Sequence, residues 1–244
     1  MANVMSLKSF KNNVKRNGFD LSHKNAFTAK AGELLPIFCQ EVIPGDKFRI
    51  NGQGFTRTQP IMSAAFVRLR EYYDFFFVPY KLLWNRFPTF FTQLQDYHQA
   101  SGINAASTVG EQHPYFSSGE VLAYLSRVNT AQNGEDSNLF GYKRADLSAK
   151  LLEYLGYGVQ DYVSPVQDNP VVFNPCPLLA YQKVCQDYFR DDQWQNAEPW
   201  RYNLDYITDG SSPHIPVSTI DIAQNTMFDL NYCNYAKDYF MGML

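Results

Sequence analysis

The chain has 244 residues, of which 45% are apolar and 18% are charged, and its formal net charge is −3. This apolar content excludes an intrinsically disordered chain, and 14 glycines with 13 prolines are too few for a collagen-like or low-complexity protein. Low charge combined with 16% aromatic residues is typical of chains that bury surface against partners.

The charge is distributed unevenly along the chain. Residues 1–30 carry six cations against the single carboxylate of Asp20, so a basic N-terminal arm precedes an acidic body. Lysine and arginine in such an arm can neutralise phosphates, and interleaved phenylalanines can stack on unpaired bases. The alternative is a solvated tail without a ligand. The candidate DNA-binding residues are Lys8, Lys11, Lys15 and Arg16.

Short apolar runs separated by turns fill residues 33–79. Pro44 and Gly45 predict a turn, and the alternation over residues 48–51 predicts a half-buried strand. A longer strand is predicted over residues 66–78, which become almost continuously apolar and end at a proline. These strands make one incomplete sheet, because a β-sandwich needs a second sheet to cover its apolar face.

Helical periodicity begins after this region. Apolar residues recur at three- and four-residue steps over 82–94, where Pro88 must lie at a helix start or a break. Further helices are predicted over residues 121–125 and 146–155. The most regular pattern opens at Pro177. It predicts one apolar helix face made of Leu178, Tyr181, Val184, Cys185, Tyr188 and Phe189.

Sequence motifs of common enzymatic sites are absent. The chain contains no GxxxxGK[ST], GxGxxG, GxSxG or HExxH pattern, so it predicts no catalytic residue and no cofactor. The histidines are widely separated, and no cysteine pair has the spacing of a zinc site, so no metal is expected and the thiols are expected to be reduced. These residues are His23, His98, His113, His214, Cys39, Cys176, Cys185 and Cys233.

Two alternatives to a structural role come from the residues themselves. Trp194, Trp200 and Tyr202 suit a stacking platform in a jelly-roll carbohydrate-binding module, or else packing in a core or between subunits. Asp187 with Asp191 or Asp192 suits the carboxylate pair of a glycoside hydrolase, or else a solvated helix end.

An ordered set of segments resembles the N-terminal half of a Microviridae major capsid protein, and the match is closest to the gokushovirus type. The order and rough spacing hold from about residue 19 to the end, whereas residues 98–175 and 203–229 resemble little. The segments are FDLSH at 19–23, residues 34–48 ending in GDKF, FFFVPYKLLW at 75–84, residues 177–191 running from PLLAY to DYFRD, and residues 231–240 running from NY to KDYF.

This resemblance implies a mainly β fold with α insertions, namely an eight-stranded viral jelly-roll β-sandwich, here incomplete, elaborated by helical and loop insertions. The basic arm would span residues 1–30. Residues 31–244 would be the N-terminal part of the jelly-roll capsid domain, with insertions at about 81–230.

The same resemblance implies a non-enzymatic major capsid subunit of a small T=1 icosahedral shell around circular single-stranded DNA. Its partners would be copies of itself, other phage structural proteins and the packaged DNA, with no membrane. It would be located in the virion, and in the host cytoplasm during assembly. The residues Trp194, Trp200 and Tyr202 would then be inter-subunit contacts.

Overall fold

The computed structural model describes residues 17–60, 62, 69–92, 113–131, 144–158, 171–192, 195–208, 214–217 and 226–233. Several sequence predictions lie outside the described residues. They are the phosphate contacts at Lys8, Lys11, Lys15 and Arg16, the aromatic residue Trp194, and the closing KDYF segment.

Short helices dominate the described part of the chain. The α-helices are α1 (Tyr80–Leu83), α2 (Phe87–Thr92), α3 (Ser118–Ala131), α4 (Arg144–Tyr154), α5 (Cys176–Val184) and α6 (Leu204–Ile207). A π-helical turn, Cys185–Phe189, continues α5, and a 3₁₀ turn spans Pro199–Arg201.

A two-stranded antiparallel sheet joins β1 (Phe116–Ser117) to β2 (Val172–Phe173). Phe116 lies opposite Phe173 in the register. On the other side of β1 the backbone N–H of Ile215 donates to the carbonyl of Tyr115 at 2.8 Å. The residues of β1, β2 and Ile215, which are distant in sequence, are therefore held together next to α3.

One apolar core holds the helices and the two strands together. We call these helices and strands the helical unit. The rings of Phe116 and Tyr124 both pack against Phe228, with centroid distances of 6.0 Å and 5.0 Å. Burial of each such side chain contributes about 1.5–3 kcal/mol. Fully buried members of the core are Phe116, Val121, Tyr124, Val128, Leu151, Leu152, Leu178, Leu179, Ile215, Val217 and Phe228.

Most helix predictions are confirmed. Pro88 lies in the first turn of α2, as its missing N–H requires. Helix α4 ends just before Gly156, whose φ of 87° is the left-handed conformation that glycine adopts at helix ends. Helix α3 is longer than the predicted segment 121–125, because it begins at Ser118 and continues to Ala131.

The predicted apolar face after Pro177 is partly wrong. The chain changes from α-helical to π-helical geometry at Cys185, and the wider turn alters the direction of every later side chain. Tyr188 is therefore 67% exposed instead of buried. The face that does enter the core contains Gln182, which the apolar pattern did not include.

Residues 35–79, which we call the extended segment, contain no helix or strand within their described parts, 35–60, 62 and 69–79. The predicted turn is confirmed, since Gly45 has a φ of 95° and the Asp46 N–H donates to the Ile43 carbonyl at 3.2 Å. The predicted strands are extended chain without a ladder, because a strand needs a hydrogen-bonded neighbour and none of the described residues supplies one. The jelly-roll sandwich thus stays a prediction.

Candidate interaction surface

The extended segment leaves the helical unit and returns to it. At its start the Leu34 N–H donates to the Asn231 carbonyl at 2.9 Å, and the Tyr181 hydroxyl donates to the Leu34 carbonyl at 2.9 Å. Leu35 and Val78, near the two ends, both pack against the core. The segment is therefore a long excursion anchored at both ends to one body.

A buried ion pair strengthens the first anchor. The Nζ of Lys150, on α4, lies 2.5 Å from Oε2 of Glu33, and the Glu33 side chain is fully buried. The same carboxylate accepts the backbone N–H of Lys30 at 3.0 Å. Because a buried charge is costly unless it is paired, this contact fixes where the chain enters the helical unit.

An aromatic cluster forms close to the second anchor. The ring of Phe76 lies 4.6 Å from that of Tyr188 and 6.1 Å from that of Phe189, measured between centroids. The π-helical turn presents both of these partner rings. The side of the extended segment that carries Phe76 and Val78 thus packs against the helical unit.

The opposite side of the same stretch is apolar and open to solvent. Side chains alternate along extended chain, so Tyr73, Phe75 and Phe77 share the side away from Phe76. All three are exposed, and we call them the aromatic face. Apart from Asp74, the stretch is apolar on both sides, which is typical of a strand covered by protein on both faces. The aromatic face is therefore the main candidate interface of the described chain.

The predicted tryptophan and tyrosine platform is only partly described. Trp200 and Tyr202 lie at one 3₁₀ turn, where the Tyr202 N–H donates to the Pro199 carbonyl at 3.2 Å. Trp200 is exposed, but the Nζ of Lys183 lies 4.6 Å from the centroid of the half-buried Tyr202 ring. A sugar could stack on that ring face only by displacing the lysine. The contact role of Trp200 and Tyr202 stays a prediction.

Two of the three carboxylates proposed for glycoside chemistry pair with neighbouring cations. Asp187 accepts from Lys183 at 2.9 Å, and Asp192 lies 2.5 Å from Arg190. The backbone N–H of Asp191 donates to the Gln195 side chain at 3.3 Å. Ion pairs between such close neighbours in sequence are typical of a solvated helix end.

The described ranges contain neither a metal-binding cluster nor a membrane-spanning helix. No group of three or more histidine, cysteine or acidic residues there could hold a metal ion. No described helix has the length and apolar character needed to cross a bilayer. Cys39 and Cys233 are exposed, whereas burial raises the pKa of the Cys176 and Cys185 thiols to about 12.

A polar cavity of about 530 Å³ lies beside the π-helical turn. The Arg201 guanidinium in its wall donates to Thr226 Oγ1 at 2.5 Å and to Asn231 Oδ1 at 2.9 Å, and it pairs with Glu198. Gln182 Oε1 accepts from Asn231 Nδ2 at 2.8 Å. These groups satisfy one another, so the cavity wall is a structural network that joins 198–201 to 226–231.

No sequence pattern predicted the contacts that build the anchors. Glu33 and Lys150 are 117 residues apart, and Gln182 and Asn231 are 49 residues apart. Neither pair lies in a motif, so periodicity and spacing cannot connect them. Co-variation between homologues is the signal that would have found such pairs.

Comparison with known proteins identifies relatives of the chain. Residues 8–136, more than half of the chain, match the family model described as capsid protein (F protein). Capsid protein VP1 of Chlamydia phage 1 is 25% identical over 232 residues, which is 95% of this chain and 33% of the relative. Capsid protein VP1 of Bdellovibrio phage phiMH2K is 27% identical over 176 residues, 72% of this chain and 26% of the relative.

The chain thus spans between a quarter and a third of the length of these curated relatives. No solved structure matches it. Both relatives are capsid proteins of the gokushovirus type, which confirms the resemblance found in the sequence. The chain therefore belongs to the capsid protein (F protein) family.

Proposed function

We propose that the chain is a building block of a small icosahedral virion shell, and that it acts by assembly rather than catalysis. Its membership of the capsid protein family carries the proposal. The proposal includes a shell made of copies of this protein, other phage structural proteins in contact with it, and single-stranded DNA inside. The protein would assemble in the host cytoplasm and reside in the virion.

The fold that we propose for assembly is the jelly roll. In this proposal the extended segment supplies strands of a β-sandwich, and other polypeptide supplies the neighbouring strands. Support comes from the two anchors, which hold the segment to the helical unit while its described backbone has no sheet partner. Apart from Asp74, both sides are apolar over residues 73–78, which also suits a position between two layers.

The aromatic face is the surface that we expect to be covered on assembly. Tyrosine and phenylalanine are enriched in protein interfaces, where burying one ring excludes about 150–250 Å² from water. Association that buries Tyr73, Phe75 and Phe77 also covers the backbone groups of this stretch, which otherwise invite aggregation.

Sedimentation velocity of the purified 244-residue chain tests this role. We expect the chain to associate, and we expect Phe75→Ser/Phe77→Ser to shift the distribution towards monomer. Phe91→Ser is the matched control, because its ring on α2 is 73% exposed, against 75% for Phe77. A wild-type chain that stays monomeric and unfolds cooperatively would overturn the proposal.

Electron microscopy of the full-length product of the gene, together with nuclease protection, tests the shell and its contents. Uniform small particles that protect single-stranded DNA are the expected result. Charge reversal at Lys8, Lys11, Lys15 and Arg16 tests the proposed role of the N-terminal arm. If the amount of protected DNA is unchanged in that variant, the arm has no part in packaging.

A further inference from the structure

We propose that Tyr188 and Phe189 are positioning residues for assembly: by holding Phe76, they determine which side of residues 73–78 faces outward. The proposal rests on the function proposed above, because the side that faces outward is the aromatic face. We call the contact of these three rings the ring clamp.

The clamped stretch has two distinct sides. Glu71 accepts the hydroxyl of Tyr73, as it can because side chains two residues apart lie on the same side of extended chain. The same alternation places Phe76 and Val78 on the opposite side, where Phe76 contacts the π-helical turn and Val78 packs against the core. The contacts on both sides therefore agree on one orientation of the stretch.

Hydrophobic burial alone would favour the reverse orientation. The outward side carries the three rings of the aromatic face, whereas the inward side carries Asp74, Phe76 and Val78. Phe77 is 75% exposed, but Phe76 is only 38% exposed. A slip of the stretch by one residue would exchange the two sides. Since the more apolar side faces solvent, specific contacts rather than general burial select the orientation.

The π-helical turn supplies such a contact. In a continuous α-helix Tyr188 would lie on the same face as Tyr181 and Val184. The wider turn that begins at Cys185 instead leaves Tyr188 67% exposed, with its ring centroid 4.6 Å from that of Phe76. π-Helical turns occur frequently at functional sites. The irregular end of α5 therefore presents a ring where the extended segment can dock on it.

The ring contact is strong enough to select between two orientations of similar burial. Phe76 is tilted by 45° to Tyr188 and lies at 75° to Phe189. One aromatic pair in such a geometry shifts an equilibrium by about two- to tenfold beyond the effect of the area it buries. Loss of the Tyr188 ring should therefore lower the population of the outward-facing aromatic face. The apparent association constant falls with that population.

Sedimentation velocity of the 244-residue chain tests the effect on assembly. We compare Tyr188→Ser with Tyr206→Ser, because the two tyrosines are 67% and 66% exposed and Tyr206 belongs to α6 rather than to the clamp. We expect Tyr188→Ser to lower the association constant by about two- to tenfold. Tyr206→Ser should leave it unchanged. Tyr188→Phe keeps the ring and should associate as the wild type does.

Thiol labelling of Val78→Cys measures whether the clamp holds the stretch. The background carries Cys39→Ser and Cys233→Ser, so that the exposed native thiols do not react. Because Val78 packs against the core, the introduced thiol should react slowly in this background. Adding Tyr188→Ser should accelerate the reaction by about two- to tenfold, since it favours local opening of the stretch. Adding Tyr206→Ser should not accelerate it.

The two measurements together separate the clamp from other roles of Tyr188. Faster labelling with weaker association supports the proposal. Weaker association with unchanged labelling would mean that Tyr188 contacts a second copy directly, which overturns the proposal. Faster labelling with unchanged association would mean that the orientation of the stretch has no part in assembly, which also overturns it. Circular dichroism of each variant checks that the helical unit remains folded.

Failure of the clamp and failure of the proposed interface are distinguishable. If Phe75→Ser/Phe77→Ser weakens association but Tyr188→Ser does not, the aromatic face is the interface and the clamp proposal is wrong. If neither variant changes association, the aromatic face is not the interface and both proposals are wrong.

Discussion

The Lys150 ammonium lies 2.5 Å from the Glu33 carboxylate, although 117 residues separate the two in sequence. Replacing one member of a buried pair leaves the other charge uncompensated. We expect Lys150→Met to lower the free energy of unfolding by about 3 kcal/mol, measured by urea denaturation. Lys81→Met, at an exposed lysine on α1, should change it by less than about 0.5 kcal/mol.

The double variant Glu33→Gln/Lys150→Met distinguishes a pair from two independent effects. Because it removes both charges, we expect it to be more stable than Lys150→Met alone. If the double variant loses the sum of the two single losses, the two side chains are not coupled and the anchor depends on other contacts.

Gln182 is the most deeply buried polar side chain of α5. Its Nε2 donates to the carbonyls of Met227 and Asp229 at 2.7 Å and 2.8 Å. Gln182→Leu would remove both of these hydrogen bonds and leave the Asp229 carbonyl with the longer bond from Asn231 Nδ2 at 3.3 Å, so we expect a loss of about 1–3 kcal/mol in the same denaturation experiment. Gln186→Leu, four residues further along the chain on the half-buried π-helical turn, is the comparison. An equal effect of the two substitutions would contradict the role of Gln182.

Two leucines of the helical unit differ strongly in burial, so a comparison of them measures the contribution of core packing. Leu151 on α4 is fully buried, whereas Leu82 on α1 is more than half exposed. We expect Leu151→Ala to cost about 3 kcal/mol, from lost burial and the cavity that remains. We expect Leu82→Ala to cost less than about 0.5 kcal/mol. Thermal melts of both variants, followed by circular dichroism, make the comparison.

The four thiols should fall into two reactivity classes. Cys39 and Cys233 are exposed, so they should react with a thiol reagent at pH 8 in the native protein, Cys39 more slowly because burial and the Glu41 carboxylate raise its pKa. The pKa of Cys176 and of Cys185 is raised to about 12, mainly by burial, so both remain protonated at that pH and are also shielded. We expect two thiols to react before urea is added and four afterwards. Rapid native labelling of Cys176 or Cys185 would show that the core is not closed.

The same two thiols make stability depend on alkaline pH. Their pKa is about 12 in the folded chain against an ordinary value of 9.0, so the folded state holds its protons more tightly. Their contribution is fully present below pH 9 and is lost as the pH rises towards 12. Replacing both with alanine should flatten the fall in unfolding free energy over this window. An unchanged slope would assign the alkaline loss to other groups, such as Tyr124, whose pKa burial raises to about 12.

Sequence reasoning succeeded where local physics decides the structure. Helix α4 and its glycine end, the proline at the start of α2 and the turn at Gly45 each depend on a few neighbouring residues. Tyr188 is exposed because the helix changes from α-helical to π-helical geometry at Cys185. The spacing of apolar residues does not predict this change.

The hydrophobic pattern of the sequence does not predict contacts between residues that are distant in the chain. Nothing in the sequence around Glu33 points to Lys150, and nothing around Thr56 points to Glu71. The strands predicted between residues 48 and 78 need hydrogen-bonded neighbours that the described chain does not provide, so their apolar pattern is present without a ladder.

Anchoring at both ends also determines how the protein would respond to proteolysis. Trypsin can cut the exposed excursion at Lys47, Arg49 or Arg57. One cut leaves an N-terminal fragment still held through Glu33 and Leu34, while the other fragment retains the core of the helical unit. The nicked chain should therefore migrate as one species on a native gel and as two under denaturing conditions. A loop tethered in this way can be broken without releasing either piece.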